Sequence, residues 1–403
     1  MNKITFFLLV AVLSFKGLSG NAQTKDYSFG DGIRYTAKDS TFGVKASFRF
    51  QTLFAGNWRV NNDDYGDIGN FSSNFLIRRA RLKFEGFAYS PKLTYALQLG
   101  LSNRDLDHGG AQYYGEGGNL VLDAYLKWNF YKGFSLKAGQ FKLPGNRDVL
   151  ISSASMQFVD RSELNSKFTL ERDVGVGLNY DKVLGKQFGL HLSAAFAQGE
   201  GRNIISGNKG GYQTTFRIEV MPFGEFMKKG AYVGGDVYRE QKPKLALALA
   251  ADRNSNAARS RGNRGAFLPE NAELKDLYTG FADFMFKYKG ISVMGEYALR
   301  RTRDNNPNVE DLDGNHLGAY HFGSAINLQA GYLFNSNYEL AARYTYLSSH
   351  TNFVTSPNLI YYTLGASKYI KNHNLKVQTD VGYIQNKLGD DGLTWRVQIE
   401  IGF

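Results

Sequence analysis

From residue 41 to the C-terminus, apolar and polar residues alternate in sixteen short segments. The last shows it best: Leu393, Trp395, Val397, Ile399, Ile401 and Phe403 are apolar, and every position between them is polar or Gly. A period of two is the mark of a strand with two unlike faces. The gaps alternate as well, long then short, as they do when tight turns close one end of an up-and-down barrel and longer loops the other. The pattern predicts an all-β chain, a transmembrane antiparallel barrel of 16 strands. They fall at 43–54, 75–88, 93–102, 120–130, 134–141, 173–180, 188–197, 213–221, 244–251, 277–288, 291–301, 322–333, 337–347, 359–370, 374–384 and 393–403. Each is near the ~10 residues that a tilted membrane strand needs. Segment 222–243 is long where a short turn is due, and Ala231–Tyr238 alternates weakly, so 18 strands is the alternative.

The phase of the alternation assigns faces. Lys45, Arg49, Arg79, Arg81, Lys83, Lys127, Lys137, Arg217, Lys244, Arg300, Arg343, Lys376 and Arg396 share the polar face with Glu85, Asp123, Glu219, Asp283, Glu296, Glu339, Asp380 and Glu400. A charge on the lipid face costs a few kcal/mol at the midplane, so this face lines a lumen. Arg78 has the wrong phase and is expected near the membrane interface or a subunit contact. Bases outnumber acids, and Arg79-x-Arg81-x-Lys83 puts three cations in a row with Glu85 as the one local acid. Cross-strand pairing accounts for most of these charges; the excess predicts an anion-favouring pore, since rings of Arg and Lys build such pores. The pore-lining set from the strands is Arg49, Arg79, Arg81, Lys83, Lys127, Lys137, Arg217 and Arg343, and Arg161 joins it from the loop 142–172.

The longest gap, 142–172, carries Lys142, Arg147, Asp160, Arg161 and Glu163 among apolar residues such as Leu150, Met156 and Phe158. Loops this long are usually functional. Folded inward, it would constrict a barrel wide enough to hold a water-filled channel.

Composition agrees. Tyr (25), Phe (30) and Gly (45) are abundant, Pro (7) is scarce and Cys is absent, which leaves neither disulfides nor a thiolate site. Residues 1–22 read as a signal peptide: Lys3, then the run Ile4–Phe15, then Gly20-Asn21-Ala22 before a cleavage site. Residues 23–42 would be a short periplasmic lead and 43–403 the barrel. The formal charge is +11. Because the bases alternate into a lumen, nucleic acid is not an expected partner.

Several segments resemble the phosphate-selective porins O and P of Gram-negative outer membranes, as that family appears in Bacteroidetes. They are Phe75-Leu76-Ile77-Arg78-Arg79-Ala80-Arg81-Leu82, Asp123-Ala124-Tyr125-Leu126, Gly139-Gln140-Phe141-Lys142-Leu143-Pro144, Phe158-Val159-Asp160-Arg161-Ser162 and Glu171-Arg172-Asp173-Val174-Gly175-Val176. The resemblance implies a homotrimer of sixteen-stranded barrels, a basic lumen, an inward third loop, and Arg79, Arg81 and Arg161 on motif positions. The implied function is passive diffusion of small anions, with phosphate and polyphosphate as candidate solutes. The inward acids make a general anion preference the safer expectation than strict phosphate selectivity. The partners expected are outer-membrane lipid and lipopolysaccharide, small anions, and the barrel-insertion machinery reading the terminal Phe403.

No enzyme constellation is present: there is no Gly-x-Ser-x-Gly elbow, no His-Glu-x-x-His and no phosphate-binding Gly loop with Lys. No cofactor is expected. Asp311-x-Asp313-Gly314-Asn315 has oxygen donors of the kind Ca²⁺ uses but not the twelve-residue loop, and is read as a surface turn. The rival function is a non-conducting or loop-plugged barrel whose surface loops bind a partner.

Overall fold

In the computed structural model, residues 28–61, 64, 66–106, 119–349 and 358–403 are described. Residues 1–22, expected to be a signal peptide, and the start of the expected lead lie outside them, as do parts of the loops after 106 and 349. Sixteen barrel strands follow the alternating segments: β1 (Phe42–Val60), β2 (Ile68–Ala88), β3 (Ser90–Gly100), β4 (Val121–Tyr131), β5 (Phe134–Lys142), β6 (Arg172–Leu184), β7 (Phe188–Ala197) and β8 (Gln213–Met221), then β9 (Lys244–Asn254), β10 (Leu277–Tyr288), β11 (Ile291–Thr302), β12 (Gly323–Leu333), β13 (Tyr338–Ser349), β14 (Leu359–Lys371), β15 (Leu375–Asn386) and β16 (Asp391–Gly402). Each pairs antiparallel with the next, and β16 pairs with β1 from Asp391↔Val60 to Gly402↔Arg49, which closes the barrel. Closure leaves no unpaired edge for lipid to meet. The lead adds a short strand, Ile33–Thr36, against the start of β1.

Burial is inside out. On β9, Leu247 and Leu249 are exposed while Ala246, Ala248 and Ala250 are buried; on β15, Val377 and Val381 are exposed while Lys376, Gln378 and Asp380 are buried. Exposed apolar and buried polar positions alternate because the outer face meets lipid and the inner face meets protein or confined water. Rings cluster on the outer face, with Phe134 4.3 Å from Tyr180 and Phe54 edge-on to Trp395 at 5.5 Å.

Among the described residues, two connections enter the lumen. The third loop, between β5 and β6, folds inward as the sequence predicts. It carries the short helices α1 (Arg147–Leu150) and α2 (Glu163–Phe168). Ser162 caps α2 by accepting from the Asn165 amide at 3.2 Å. Leu164 and Phe168 of α2 pack on Ala250, Phe281, Ala298 and Ala325 of the wall. The other connection is 222–243, between β8 and β9. It is no extra hairpin: it holds a 3₁₀ turn over Met227–Tyr232 and folds up into the barrel from the end that carries the short turns. Sixteen strands therefore stand, not eighteen.

Candidate functional site

Between β2 and β6 on one side and the third loop on the other lies a cavity of about 990 Å³. Its lining holds thirteen Arg or Lys side chains against five Asp or Glu. The wall side is contributed by β2, β4 and β5, because inward side chains two residues apart descend one strand face. The mouth is contributed by Arg202, Arg259, Arg261 and Arg264 of the outer loops, and by Arg172 at the start of β6.

The sequence-predicted residues divide into two groups. Arg79, Arg81, Lys83, Lys137, Lys142, Asp160, Arg161 and Glu163 line this cavity. Lys127 stands across from Lys137 in the β4–β5 ladder. Arg49, one strand away from β2, gives Ser153 Oγ a hydrogen bond at 3.0 Å and lies 3.7 Å from Glu400. The second group is taken up in holding the loop. Arg147 is fully buried and donates to Asp283 at 2.8 Å, to Glu219 at 3.0 Å and to the Ala231 carbonyl at 3.0 Å. Arg217 bonds the same two carboxylates and the Gly145 carbonyl at 2.7 Å. Arg343 donates to the Asp160 carbonyl at 2.9 Å and covers the Phe158 ring at 4.1 Å. The expectation that Arg217 and Arg343 line an open pore is therefore corrected, since the loop they anchor lies over them, whereas Arg147 sits in that loop as expected.

Arg78 is the other correction. The β1–β2 register passes from Gln51↔Arg79 to Thr52↔Ile77, which leaves Arg78 unpaired in a β-bulge. A bulge inserts one residue and reverses the phase beyond it. Phe75 and Ile77 face outward, whereas Arg78 and Arg79 both reach inward to Asp160, at 2.7 and 3.3 Å. Burial pushes the Asp160 carboxyl up, but the two guanidinium groups outweigh it and hold the carboxyl below its ordinary range.

The acids are engaged as well. Arg81 grips Asp105 with both nitrogens, at 2.6 and 3.0 Å, and Arg172 does the same to Asp123, at 2.8 and 3.0 Å. Lys83 pairs with Glu85. Arg161 donates to the Asp148 and Ile151 carbonyls, both at 2.8 Å, which braces the loop while its side chain still borders the cavity. Lys137 sits 4.9 Å from the ring centres of both Tyr125 and Phe141, a cation–π seat that holds an ammonium without a carboxylate partner. Cations in excess of acids, inside low-dielectric walls, concentrate anions.

Sequence reasoning missed the mouth arginines of the loops and the whole of the inward turn. A signal existed for the cover on β9–β12. Leu277, Phe281, Met285, Met294, Ala298 and Ala325 hold lumen-phase positions yet are buried and apolar, so something had to pack on them. Around Asp311 the carboxylate accepts from the amides of Asp313 and Asn315 at 3.0 and 2.8 Å, closing the turn of a small loop hairpin.

Residues 44–232 match the family model described as phosphate-selective porin O and P. An uncharacterized protein of Aquifex aeolicus is 26% identical over 373 residues, 84% of each chain. Among solved structures, the chain resembles a loop L8 deletion mutant of the outer membrane protein OmpT of Vibrio cholerae, with a TM-score of 0.53 at 12% identity, covering 89% of this chain and 99% of that one. It also resembles an anion-selective porin from Comamonas acidovorans, with a TM-score of 0.51 at 13% identity, covering 89% and 100%. A trimer form of in-vitro folded OmpT from Vibrio cholerae scores 0.51 at 11% identity, covering 89% and 99%. These relatives do not assign the chain to a Bacteroidetes branch. The chain folds as a sixteen-stranded porin-type barrel, and its residues 44–232 carry the pattern of the phosphate-selective porin O and P family.

Proposed function

We propose that the protein is an outer-membrane pore for passive diffusion of small anions, phosphate and polyphosphate among them. One observation carries this reading: thirteen cations and five acids line a single cavity beside the third loop. Arg78, Arg79, Arg81, Lys83, Lys137, Lys142 and Arg161 would line the path, and Arg202, Arg259, Arg261 and Arg264 would draw anions to its mouth. A homotrimer fits the porin fold and the trimer form of its structural relative. The N-terminal segment would direct export. The outer face would meet lipid and lipopolysaccharide.

Phe403 would be the residue offered to the insertion machinery. Its backbone exchanges hydrogen bonds with Phe48 at 2.7 and 3.0 Å while its ring remains about half exposed. The pore reading is tested in planar bilayers. Reversal potentials in a KCl gradient should favour Cl⁻, and added phosphate should reduce the Cl⁻ current by competing for the path. Cation preference would overturn the charge argument, and absence of conductance would favour a closed barrel whose loops bind a partner.

A further inference from the structure

The segment 222–243 has no part in the path just described, yet it is among the most closely held parts of the lumen. A two-residue turn such as Lys289–Gly290 suffices elsewhere at this end of the barrel, with both residues at positive φ. Here the chain climbs inward instead and meets the third loop backbone to backbone. The Gly234 amide donates to the Ser155 carbonyl at 2.6 Å. A Cβ on Gly234 would stand 2.4 Å from the Gln157 nitrogen, so no side chain fits there. The wall grips the same stretch, with the Lys287 ammonium donating to the Val233 carbonyl at 2.7 Å and His373 Nε2 bonding the Gly234 carbonyl at 2.9 Å, and Arg147 of the third loop donates to the Ala231 carbonyl. Tyr232 borders a smaller cavity of about 220 Å³ that lies under Pro144 and Leu150 of the third loop.

What this turn covers differs from what the open path shows. Around it the wall has no cation excess, with Arg217 and Lys287 against Glu219, Asp283, Glu296 and Glu339, all buried, and the turn itself adds Asp236 and Glu240. A water-filled route on that side would give anions no preference, since pore selectivity follows the sign of the lining charges. We propose that the inward turn 226–240 is a selectivity element: seated beneath the third loop, it closes the side of the lumen that lacks a cation excess and confines permeating ions to the arginine-rich path. This rests on the anion-pore reading above.

The test uses the full chain in planar bilayers, with heat-modifiable mobility to establish that each variant is folded and inserted. Gly234→Leu wedges the turn away from the third loop, and replacement of residues 227–238 by Asn-Gly removes it. Gly207→Leu, where nothing lies within 4 Å of the added carbon, is the control. Both turn variants should conduct more than wild type, and their reversal potentials in a KCl gradient should move toward zero. The control should match wild type. Unchanged conductance and reversal potential in inserted turn variants would overturn the proposal. So would a rise in conductance with selectivity intact, because the turn would then limit only the open area. If the shortened chain does not insert, Gly234→Leu decides by the same two readings. A wild-type pore without anion preference would sink the underlying pore reading instead, and that result is in hand before any variant is compared.

Discussion

The two sides of the lumen carry the same alternation and end in opposite states. On β10 and β11 the inward positions are buried nearly without interruption, from Leu277 to Lys287 and from Ser292 to Thr302. Beyond the buried Arg79, the inward positions of β2 and β4 stay partly open: Lys83 keeps 38% of its side-chain exposure, and Lys127 and Tyr125 are half-buried. The third loop and the inward turn lie against the first wall and leave the second to the cavity. A lumen-facing cation is therefore two different things. On the covered wall it is an anchor, its donors spent on carboxylates and loop carbonyls. On the open wall it borders the cavity.

Breaking the covered wall should have the largest effect. Arg147→Ala would leave Glu219 and Asp283 buried with one cation, Arg217, between them. Removing one partner of a buried charge network costs about 3–5 kcal/mol. The expected outcome is a marked drop in the temperature at which the heat-modifiable form is lost, together with noisy conductance as the third loop leaves its seat. A stable variant with quiet wild-type current would mean that apolar packing by Leu164 and Phe168 alone holds the loop.

The open wall should respond the other way. Lys83→Met with Lys137→Met removes two charges that no loop carbonyl depends on, and Lys45 remains 3.5 Å from Glu85. Anion preference should fall while thermal stability stays close to wild type, read as reversal potential and unfolding temperature on the same preparation. Stability loss with selectivity intact would make these residues structural. Arg79 and Arg81 are less clean choices than their positions in the sequence suggest, because each holds a carboxylate, Asp160 or Asp105, in place.

This distinction marks how far the sequence could be read. Period-two alternation depends only on which face meets lipid, so sixteen strands and most of their phase were legible in it, and the inward third loop was legible in its length and apolar residues. It is silent about partners. Nothing in the pattern separates Arg217, locked to Asp283, from Lys137, resting on Tyr125 and Phe141. The bulge at Arg78 was illegible for a related reason: one added residue flips the phase locally, and the run around it still alternates on either side. The inward turn broke the gap pattern, and its weak alternation suggested a hairpin. The apolar residues on the lumen phase of β10 and β11 were the evidence against it, since a water-filled lumen would not be lined with Phe281, Met285 and Met294.

Acid should loosen the seam between the two sides at Asp160. Despite its burial, this carboxyl is held below its ordinary value by Arg78 and Arg79, and Glu171 is likewise held down by Arg172 and Arg264. A carboxylate whose folded pKa is depressed adds stability above its unfolded pKa and loses it as pH falls toward the folded value. Stability of the loop seat should therefore be flat near neutrality and decline as pH drops below the ordinary value of 3.8 for Asp and 4.5 for Glu. Asp160→Asn should flatten that decline while lowering stability at neutral pH. An unchanged acid slope in the variant would place the titration elsewhere.

The smallest effect compares two single lysines, one on each wall. Lys127 stands on the open wall opposite Lys137, and Lys244 on the covered wall donates to the Phe223 carbonyl at 2.8 Å. Neither forms a salt bridge with a described residue within 4 Å, so neutralising either to Met should leave stability within about 0.5 kcal/mol of wild type, as for most substitutions away from packed features. Their electrical effects should differ. Lys127→Met removes one positive charge from the wall that ions pass, and the reversal potential should shift slightly toward zero. The shift should grow as salt is lowered, because screening over about 10 Å at 0.1 M hides part of a single exposed charge. Lys244→Met removes the same charge from a wall that ions do not pass, and its reversal potential should match wild type at every salt concentration. Equal shifts in the two variants would mean that ions sample both walls, and the division of the lumen into an anchoring side and a conducting side would fail at its most sensitive point.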